Sequence, residues 1–267
     1  MAYEVLVLDI DGTLTNSNKE ISPQTLQSIL QIQERGHIVV LASGRPTCGM
    51  VKLAKELKLA EYNGYLLSYN GAKITHCKTG EIIYQNSLDL SYIPRLYQDA
   101  LTYKVGIITY ENDGVIAGTP INKYMSLEAS INQIPIREIP NFVDYITFDV
   151  NKCLMSEDPA LIEQVEQMMA AQYKDELNIF RSEPYFLEIM PKGVDKAAAL
   201  EKLLTHLNLS KEQLICCGDG YNDLTMIEYA GLGVAMANAR DVVKKAADYI
   251  TLSNDHDGVA HVIKEFF

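Results

Sequence analysis

Asp9 and Asp11 are the residues of this sequence whose types and spacing best suit chemistry. They follow an unbroken apolar run over residues 5–8, which is typical of a strand buried on both faces in a parallel sheet. Residues two apart leave an extended chain on the same side, and Gly12 permits a sharp turn beyond them. Two such carboxylates repel each other, and a cation that prefers oxygen ligands, such as Mg2+, would relieve the repulsion. On spacing alone, a turn with aspartate as its polar residue fits equally well.

Three further groups of polar residues stand at the ends of predicted elements. They offer hydroxyl, ammonium, carboxylate and backbone N–H groups to an anion or a metal ion. Each has a simpler alternative: an N-cap with a glycine for the first, a solvated surface lysine for the second, and a turn for the last aspartate of the third. In chain order, they are Ser43-Gly44-Arg45 after the apolar run 37–42, Lys196 at the start of a helix predicted over 196–207, and Gly218-Asp219-Gly220-Tyr221-Asn222-Asp223 after the run 214–217.

Strands alternate with helices in both terminal parts of the chain. Ser22 as N-cap and Pro23 at the first helical position predict a helix that ends at Gly36. This alternation predicts βαβ units, and therefore an α/β fold with a doubly wound, Rossmann-like parallel-sheet core. Ligands bind such sheets outside the carboxyl ends of the strands, so we expect Asp9, Asp11 and Ser43 to converge on one crevice. The strands are predicted at 5–8, 37–42, 65–69 (closed by a turn at Asn70-Gly71), 214–217, 233–236 and 249–252.

The middle of the chain has a different pattern, with short strands and frequent turn signals such as Asn112-Asp113-Gly114. We predict a separate α+β domain over 81–189, inserted into a core formed by 1–80 and 190–267. Its predicted strands are 105–110, 115–117, 146–155, 178–181 and 185–189, and its predicted helices are 90–101, 121–131 and 160–173.

Composition limits the classes of function. With 267 residues, 48% of them hydrophobic and 22% charged, the chain has the composition of a soluble globular protein. No apolar run approaches the roughly 20 residues of a membrane helix, and no leader peptide is recognisable, so we expect a cytoplasmic protein without a membrane partner. A net charge of -12 disfavours nucleic acid as a partner. The five cysteines lack metal-ligand spacing and are predicted to be reduced thiols.

The four motifs, beginning with Asp9-Ile10-Asp11-Gly12-Thr13, resemble in their order those of the haloacid dehalogenase-like hydrolase superfamily. Within it, the chain resembles the Cof-type phosphatases, which carry a large C2-type cap domain between the second and third motifs. The resemblance spans the whole chain. It implies an Mg2+-dependent phosphatase that hydrolyses a small phosphorylated metabolite, such as a sugar phosphate or a cofactor phosphate, through an aspartyl-phosphate intermediate.

The resemblance also implies a role for each motif residue. Asp9 would be the nucleophile and a metal ligand, whereas Asp11 would be the general acid and base and would bind the metal through its backbone carbonyl. Lys196 matches the family's lysine better than Lys192 does, because the family uses the later lysine of a Lys-Gly-x-x-Lys arrangement. The other implied roles are metal binding by Asp219 and Asp223, phosphate binding by Ile10, Ser43, Gly44, Lys196 and Asn222, orientation of Asp11 by Thr13, a place in the crevice for Asn70, and either a substrate contact or a rim salt bridge for Arg45.

Two other functions remain open on the sequence. A phosphomutase or other phosphotransferase of the same superfamily would use the same aspartyl phosphate, and an idle binding protein could keep the fold. Asp11 argues against a dehalogenase, which has no alkoxide to protonate. The motifs address only the phosphoryl group, so the substrate is left undetermined, and a monomer and a homodimer are equally compatible with the sequence.

Overall fold

The computed structural model describes residues 3–111 and 114–267. These residues form β1 (Val5–Leu8), β2 (Ile38–Ala42), β3 (Tyr65–Ser68), β4 (Lys73–His76), β5 (Ile82–Gln85), β6 (Gly106–Glu111), β7 (Gly114–Ala117), β8 (Ile136–Glu138), β9 (Cys153–Ser156), β10 (Leu177–Glu183), β11 (Phe186–Pro191), β12 (Leu214–Gly218), β13 (Leu232–Ala235) and β14 (Tyr249–Ile250). They also form the helices α1 (Pro23–Glu34), α2 (Thr47–Glu56), α3 (Tyr92–Tyr103), α4 (Lys123–Asn132), α5 (Phe142–Tyr145), α6 (Pro159–Gln172), α7 (Lys196–Leu207), α8 (Leu224–Tyr229), α9 (Asp241–Ala246) and α10 (Gly258–Phe266). None of these helices is long and apolar enough to cross a membrane.

The residues up to Gln85 together with Asp195–Phe267 make the first of two units. Its sheet has the strand order β14-β13-β12-β1-β2-β3-β4-β5, and the strands from β14 to β3 are parallel. The chain proceeds from β1 through β2 in one direction and from β12 through β13 in the other. The strand order therefore reverses between β1 and β12, and such a reversal opens a crevice at the carboxyl ends of the two strands. The predicted α/β core is confirmed.

Local sequence explains where the helices beside this sheet begin. The Ser22 hydroxyl accepts a hydrogen bond from the backbone N–H of Thr25, as an N-cap does, and Pro23 occupies the first helical position. Asp195 caps α7 by accepting from the backbone N–H of Ala198. All four residues of β1 are fully buried, which agrees with their uninterrupted apolar character.

Two antiparallel strands of this unit, β4 and β5, were not predicted from the sequence. They add to the edge of the sheet next to β3, and β5 belongs to the first unit because it pairs with β4. The second unit comprises Asn86–Val194, whereas the sequence-based bounds of the insert were 81 and 189. Short strands with mixed polar and apolar residues, such as 73–76, carry a weak pattern, which explains why they were missed.

The second unit is built on its own six-stranded sheet, with the order β10-β11-β9-β6-β7-β8. All neighbouring pairs are antiparallel except β7 and β8. Buried residues of α3 and α6, including Leu96 and Val165, share a hydrophobic core with the sheet residues Ile107 and Leu187. The strand predicted over 146–155 is wrong in its first part, because α5 ends at Tyr145 and β9 begins only at Cys153. Between them, Val150 makes an isolated bridge to Leu88. The turn predicted at Asn112-Asp113-Gly114 falls mostly outside the described residues.

Candidate active site

Asp9 leaves β1 at the point where the strand order reverses. Its backbone N–H still donates to the carbonyl of Cys217 in β12, at 3.0 Å, and the chain then turns at Gly12, whose φ is +90°. The N–H of Leu14 returns to the carbonyl of Asp9 at 3.1 Å. A Cβ at position 12 would lie 2.5 Å from an oxygen of Asp219, so both the backbone conformation and the available space require glycine there.

The side chain of Lys196 makes hydrogen bonds to residues at the ends of β1, β2 and β12. Its side chain is fully buried, and Nζ donates to Asp9 Oδ1 at 2.8 Å, to Asp223 Oδ1 at 2.5 Å and to the carbonyl of Ala42 at 2.8 Å. An ammonium has three donors, and all three are used here. Burial lowers the pKa of Lys196, but the carboxylates of Asp223 and Asp9 outweigh it and hold the pKa above its ordinary value. The lysine therefore remains charged, whereas Lys192 is exposed.

Three carboxylates converge beside this lysine. Asp9, Asp219 and Asp223 each offer one oxygen, and these oxygens lie within 4.8 Å of one another. Asp223 is held rigidly, because its Oδ2 accepts from the backbone N–H groups of Asp219 and Gly220 at 2.9 and 2.8 Å. Among the described residues, no hydrogen bond reaches Oδ2 of Asp9 or of Asp219. Clustered hard oxygens with unused lone pairs fit a divalent cation such as Mg2+.

The carboxylates of this cluster repel one another. Burial, followed by the charge of Asp223, raises the pKa of Asp9 to about 8, although Lys196 opposes the shift. Burial and the same neighbour raise the pKa of Asp219 to about 6. One buried lysine thus does not neutralise three carboxylates, and further positive charge would be bound favourably at this position.

Asp11 is not a member of this group of three carboxylates, and its side chain binds two cations. Arg45 donates from Nε to Oδ2 at 2.9 Å and from Nη2 to Oδ1 at 2.8 Å, and Lys19 Nζ lies 2.9 Å from Oδ1. Burial raises the pKa of Asp11, but the hydrogen bonds and charges of Arg45 and Lys19 hold it below its usual value. Of the two roles considered for Arg45, the structure contains the salt bridge.

Two details of the sequence-based site need correction. Thr13 was predicted to orient Asp11, but its hydroxyl donates to Asp219 Oδ1 at 3.0 Å, because Asp219 follows β12, which pairs with β1. An N-cap was the simpler alternative for Ser43 with Gly44, but α2 begins only at Thr47, after Pro46. A proline disfavours helical backbone in the residue before it, so the preceding residues remain in a loop at the end of β2. The Ser43 hydroxyl accepts from the N–H of Arg45 at 3.2 Å.

Polar residues from three loops meet at the same end of the sheet. The amide of Asn222 donates to Asn70 Oδ1 at 3.1 Å, and the backbone N–H of Asn70 donates to the carbonyl of Ser43 at 2.9 Å. A Cβ at Gly44 would lie 3.1 Å from the Asn70 amide, so these loops are in close contact. The structure thereby brings Ser43, Gly44, Asn70 and Asn222 together.

Sequence reasoning missed two residues of this region. Lys19 stands eight positions from Asp11 in a polar turn, and nothing in its neighbourhood marks it. Asn238 donates from Nδ2 to the carbonyl of Gly12 at 2.8 Å and so holds the turn after Asp9. It follows the end of β13 closely, and the rule that ligands lie beyond the carboxyl ends of parallel strands could have found it.

The fold and this site define a class of protein. The sequence profile of the haloacid dehalogenase-like hydrolases matches residues 6–263, and the chain belongs to that family. The predicted family and fold class are confirmed, and so is the prediction that the protein is an enzyme of the hydrolase class.

Several individual proteins are similar to the chain over almost its whole length. A haloacid dehalogenase-like hydrolase from Bacteroides thetaiotaomicron has a crystal structure that matches with a TM-score of 0.96 at 47% identity, covering 99% of this chain and 100% of that one. TM0651 from Thermotoga maritima matches with a TM-score of 0.89 at 31% identity, covering 99% and 98%. The 5-amino-6-(5-phospho-D-ribitylamino)uracil phosphatase YcsE of Bacillus subtilis is 31% identical over 268 residues, which cover 98% of this chain and 95% of YcsE.

Proposed function

We propose that the protein is an Mg2+-dependent phosphatase that hydrolyses a small phosphorylated metabolite through an aspartyl phosphate on Asp9. The observation that carries this proposal is the group of Asp9, Asp219 and Asp223 around the buried ammonium of Lys196, at the carboxyl ends of β1 and β12. A phosphate monoester is a dianion, and its cleavage needs positive charge at the phosphoryl oxygens together with an aligned nucleophile.

In the first step, a carboxylate oxygen of Asp9 attacks phosphorus, and the bond from phosphorus to the alcohol oxygen breaks. Lys196 binds Asp9 Oδ1 and so orients the carboxylate, and its positive charge beside Asp9 would favour the approach of the phosphoryl group. Asp11, in its protonated form, gives a proton to the departing alcohol oxygen. Its carboxylate would first have to leave part of its contact with Arg45 and Lys19.

In the second step, water attacks the phosphorus of the aspartyl phosphate, and Asp11 takes the proton from that water. The bond between phosphorus and the Asp9 oxygen breaks, so inorganic phosphate leaves and the carboxylate is restored. Asn222, Asn70, Ser43 and the backbone at Ile10 and Gly44 would donate to the phosphoryl oxygens in both steps.

Mg2+ bound by Asp9, Asp219 and the backbone carbonyl of Asp11 would supply charge neutralisation at the phosphoryl oxygens. Asp223 would support this site indirectly, because its oxygens hold Lys196 and the loop at Asp219. Gly12 and Thr13 would also support the metal site. Gly12 leaves room for the Asp219 carboxylate, and the Thr13 hydroxyl orients that carboxylate.

The name of one relative supports the proposed class of substrate. A protein 31% identical to the chain is named as a phosphatase of a phosphorylated ribityl compound, which supports a sugar or cofactor phosphate as the substrate. In this proposal, the inserted unit serves as the cap domain and selects the alcohol part of the ester. Exchange of residues 86–194 for the corresponding segment of a relative should then change the ranking of substrates.

The proposal is tested by phosphate release from a panel of sugar, nucleotide and vitamin phosphates, with Mg2+ and with excess chelator. We expect hydrolysis of at least one class of ester, dependent on Mg2+, and its loss in Asp9→Asn. Transfer of the phosphoryl group to an added sugar in place of water would identify a phosphotransferase instead. Hydrolysis that survives both the chelator and the Asp9→Asn substitution would overturn the proposal.

A further inference from the structure

Lys19 is placed beside Asp11 by a loop with many internal hydrogen bonds. The backbone of residues 16–20 closes on itself through two hydrogen bonds of 2.9 Å, from Asn16 N to Glu20 O and from Lys19 N to Asn16 O. The Asn16 side chain accepts two more backbone N–H groups at 2.9 and 3.1 Å. Ser17 donates twice to the Asp255 carboxylate, from its N–H and from its hydroxyl, each at 2.7 Å.

This loop holds Lys19 in a conformation that lysine rarely adopts. Its φ is +63°, in the left-handed region that is unfavourable for side chains other than glycine and asparagine. Its ammonium nevertheless stands 2.9 Å from Asp11 Oδ1. Strained backbone that many surrounding contacts maintain is commonly found at functional sites, which makes the position of this ammonium worth explaining.

The need to neutralise and orient Asp11 does not explain why the Lys19 ammonium is held at this position. Arg45 already binds both oxygens of Asp11, and its side chain is only 16% exposed, so this one residue neutralises and orients the carboxylate. The Lys19 side chain is 65% exposed, and an ion pair of that kind contributes little in water. Two cations on one carboxylate leave a surplus positive charge, and Lys19 is the solvent-accessible one.

In the proposed mechanism, the ammonium of Lys19 lies near the alcohol part of the ester. Asp11 reaches the ester oxygen in the proposed mechanism, and the ammonium stands within hydrogen-bond distance of Asp11. The phosphoryl group would be held from Asp9, Lys196 and Asn222, so the charge of Lys19 is directed to the remainder of the substrate. A flexible lysine side chain can also follow a charged group over several ångströms.

We propose that Lys19 binds an anionic group in the alcohol part of the substrate, which selects phosphate esters that carry a carboxylate or a second phosphate close to the ester oxygen. This inference rests on the proposed phosphatase function. Lys19 thereby exchanges its contact with Asp11 for one with the substrate, and Asp11 Oδ1 keeps its hydrogen bond from Arg45 alone.

A matched pair of esters tests the inference. 2-Phosphoglycerate and glycerol 2-phosphate differ only by a carboxylate in place of a hydroxymethyl group next to the ester carbon. A charge-assisted hydrogen bond makes a net contribution that corresponds to about tenfold or more in affinity. We expect kcat/KM to favour 2-phosphoglycerate, and Lys19→Met to reduce that preference about tenfold through a higher KM, with Lys19→Arg restoring most of it.

Lys58→Met is the matched control, because Lys58 is also an exposed lysine with positive φ, of 54°, in an ion pair, with Glu61 at 4.0 Å. It should keep the wild-type preference.

No preference in the wild type, or an equal loss of kcat on both esters in Lys19→Met, would overturn the inference and assign Lys19 to Asp11 alone. If neither ester is hydrolysed, the proposed phosphatase function fails for these two esters. The inference on Lys19 is then tested by calorimetry, which measures binding of each ester in the presence of Mg2+. Lys19→Met must then weaken binding of 2-phosphoglycerate more than that of glycerol 2-phosphate, and equal weakening overturns the inference.

Discussion

The guanidinium of Arg45 binds the carboxylate of Asp11 through two hydrogen bonds, 2.9 Å from Nε to Oδ2 and 2.8 Å from Nη2 to Oδ1. A planar guanidinium makes this paired contact, whereas an ammonium offers only a point charge. Arg45 therefore fixes the plane of the carboxylate that would protonate the leaving group.

Arg45→Lys should lower kcat for alkyl phosphates by about tenfold to a hundredfold, since general acid catalysis contributes about 10²–10⁴ and only part of it depends on orientation. The loss should be smaller for p-nitrophenyl phosphate, whose leaving group needs little protonation. Steady-state kinetics on both esters measure the difference. Arg137→Lys, which changes an exposed arginine paired with Glu111, is the control. Equal losses on the two esters would contradict the role.

Asp9→Asn should abolish turnover while the protein stays folded, because an amide does not form an acyl phosphate. Mass spectrometry of the wild type, quenched in acid during turnover, should detect one added phosphoryl group, and a peptide map should assign it to Asp9. The variant should show none. Activity within tenfold of the wild type would exclude Asp9 as the nucleophile.

Metal binding should release protons near neutral pH. Since the pKa of Asp9 is raised to about 8 and that of Asp219 to about 6, the metal-free site binds protons that Mg2+ must displace. Mg2+ affinity should therefore rise with pH between about 6 and 8, in the direction set by these raised values. Calorimetry in two buffers with different heats of ionisation measures the proton count. Asp9→Asn should reduce it, and an affinity independent of pH would argue against a site that includes Asp9.

Lys196→Met should lower the free energy of unfolding by about 3–5 kcal/mol, because it leaves Asp9 and Asp223 buried without their counter-charge. Urea denaturation followed by circular dichroism measures the change. Mg2+ should recover part of the loss, since it supplies positive charge to the same carboxylates. Lys202→Met, on the exposed side of α7, should have little effect. A variant as stable as the wild type without Mg2+ would show that the buried pairs contribute nothing.

Gly12→Ala and Gly36→Ala separate backbone strain from crowding at the site. The two glycines have φ values of +90° and +96°, so alanine at either should cost about 1 kcal/mol or more of stability. Only at position 12 would the new Cβ meet Asp219, at 2.5 Å, whereas position 36 has nothing within 4 Å. Gly12→Ala alone should therefore weaken Mg2+ binding and phosphatase activity. Equal activity in the two variants would show that the carboxylate tolerates displacement.

The sequence by itself determined the elements that carry the site. An uninterrupted apolar run before Asp9, a proline after Ser22 and a lysine directly after the capping Asp195 are local signals, and the strand and helices that they predict are present. Strand order in a parallel sheet then follows general rules of connection, which is why the crevice at the carboxyl ends was predictable.

The tertiary structure decided which side chains meet. Asp9 and Lys196 are 187 positions apart, and Thr13 and Asp219 are 206 apart, so no local pattern encodes either hydrogen bond. Lys19 had no signal of its own, and its contact with Asp11 depends on the loop conformation at residues 16–20. Hydrophobic periodicity specifies where an element lies and which face is buried, whereas a polar contact depends on distances of about 3 Å that only the packed chain fixes.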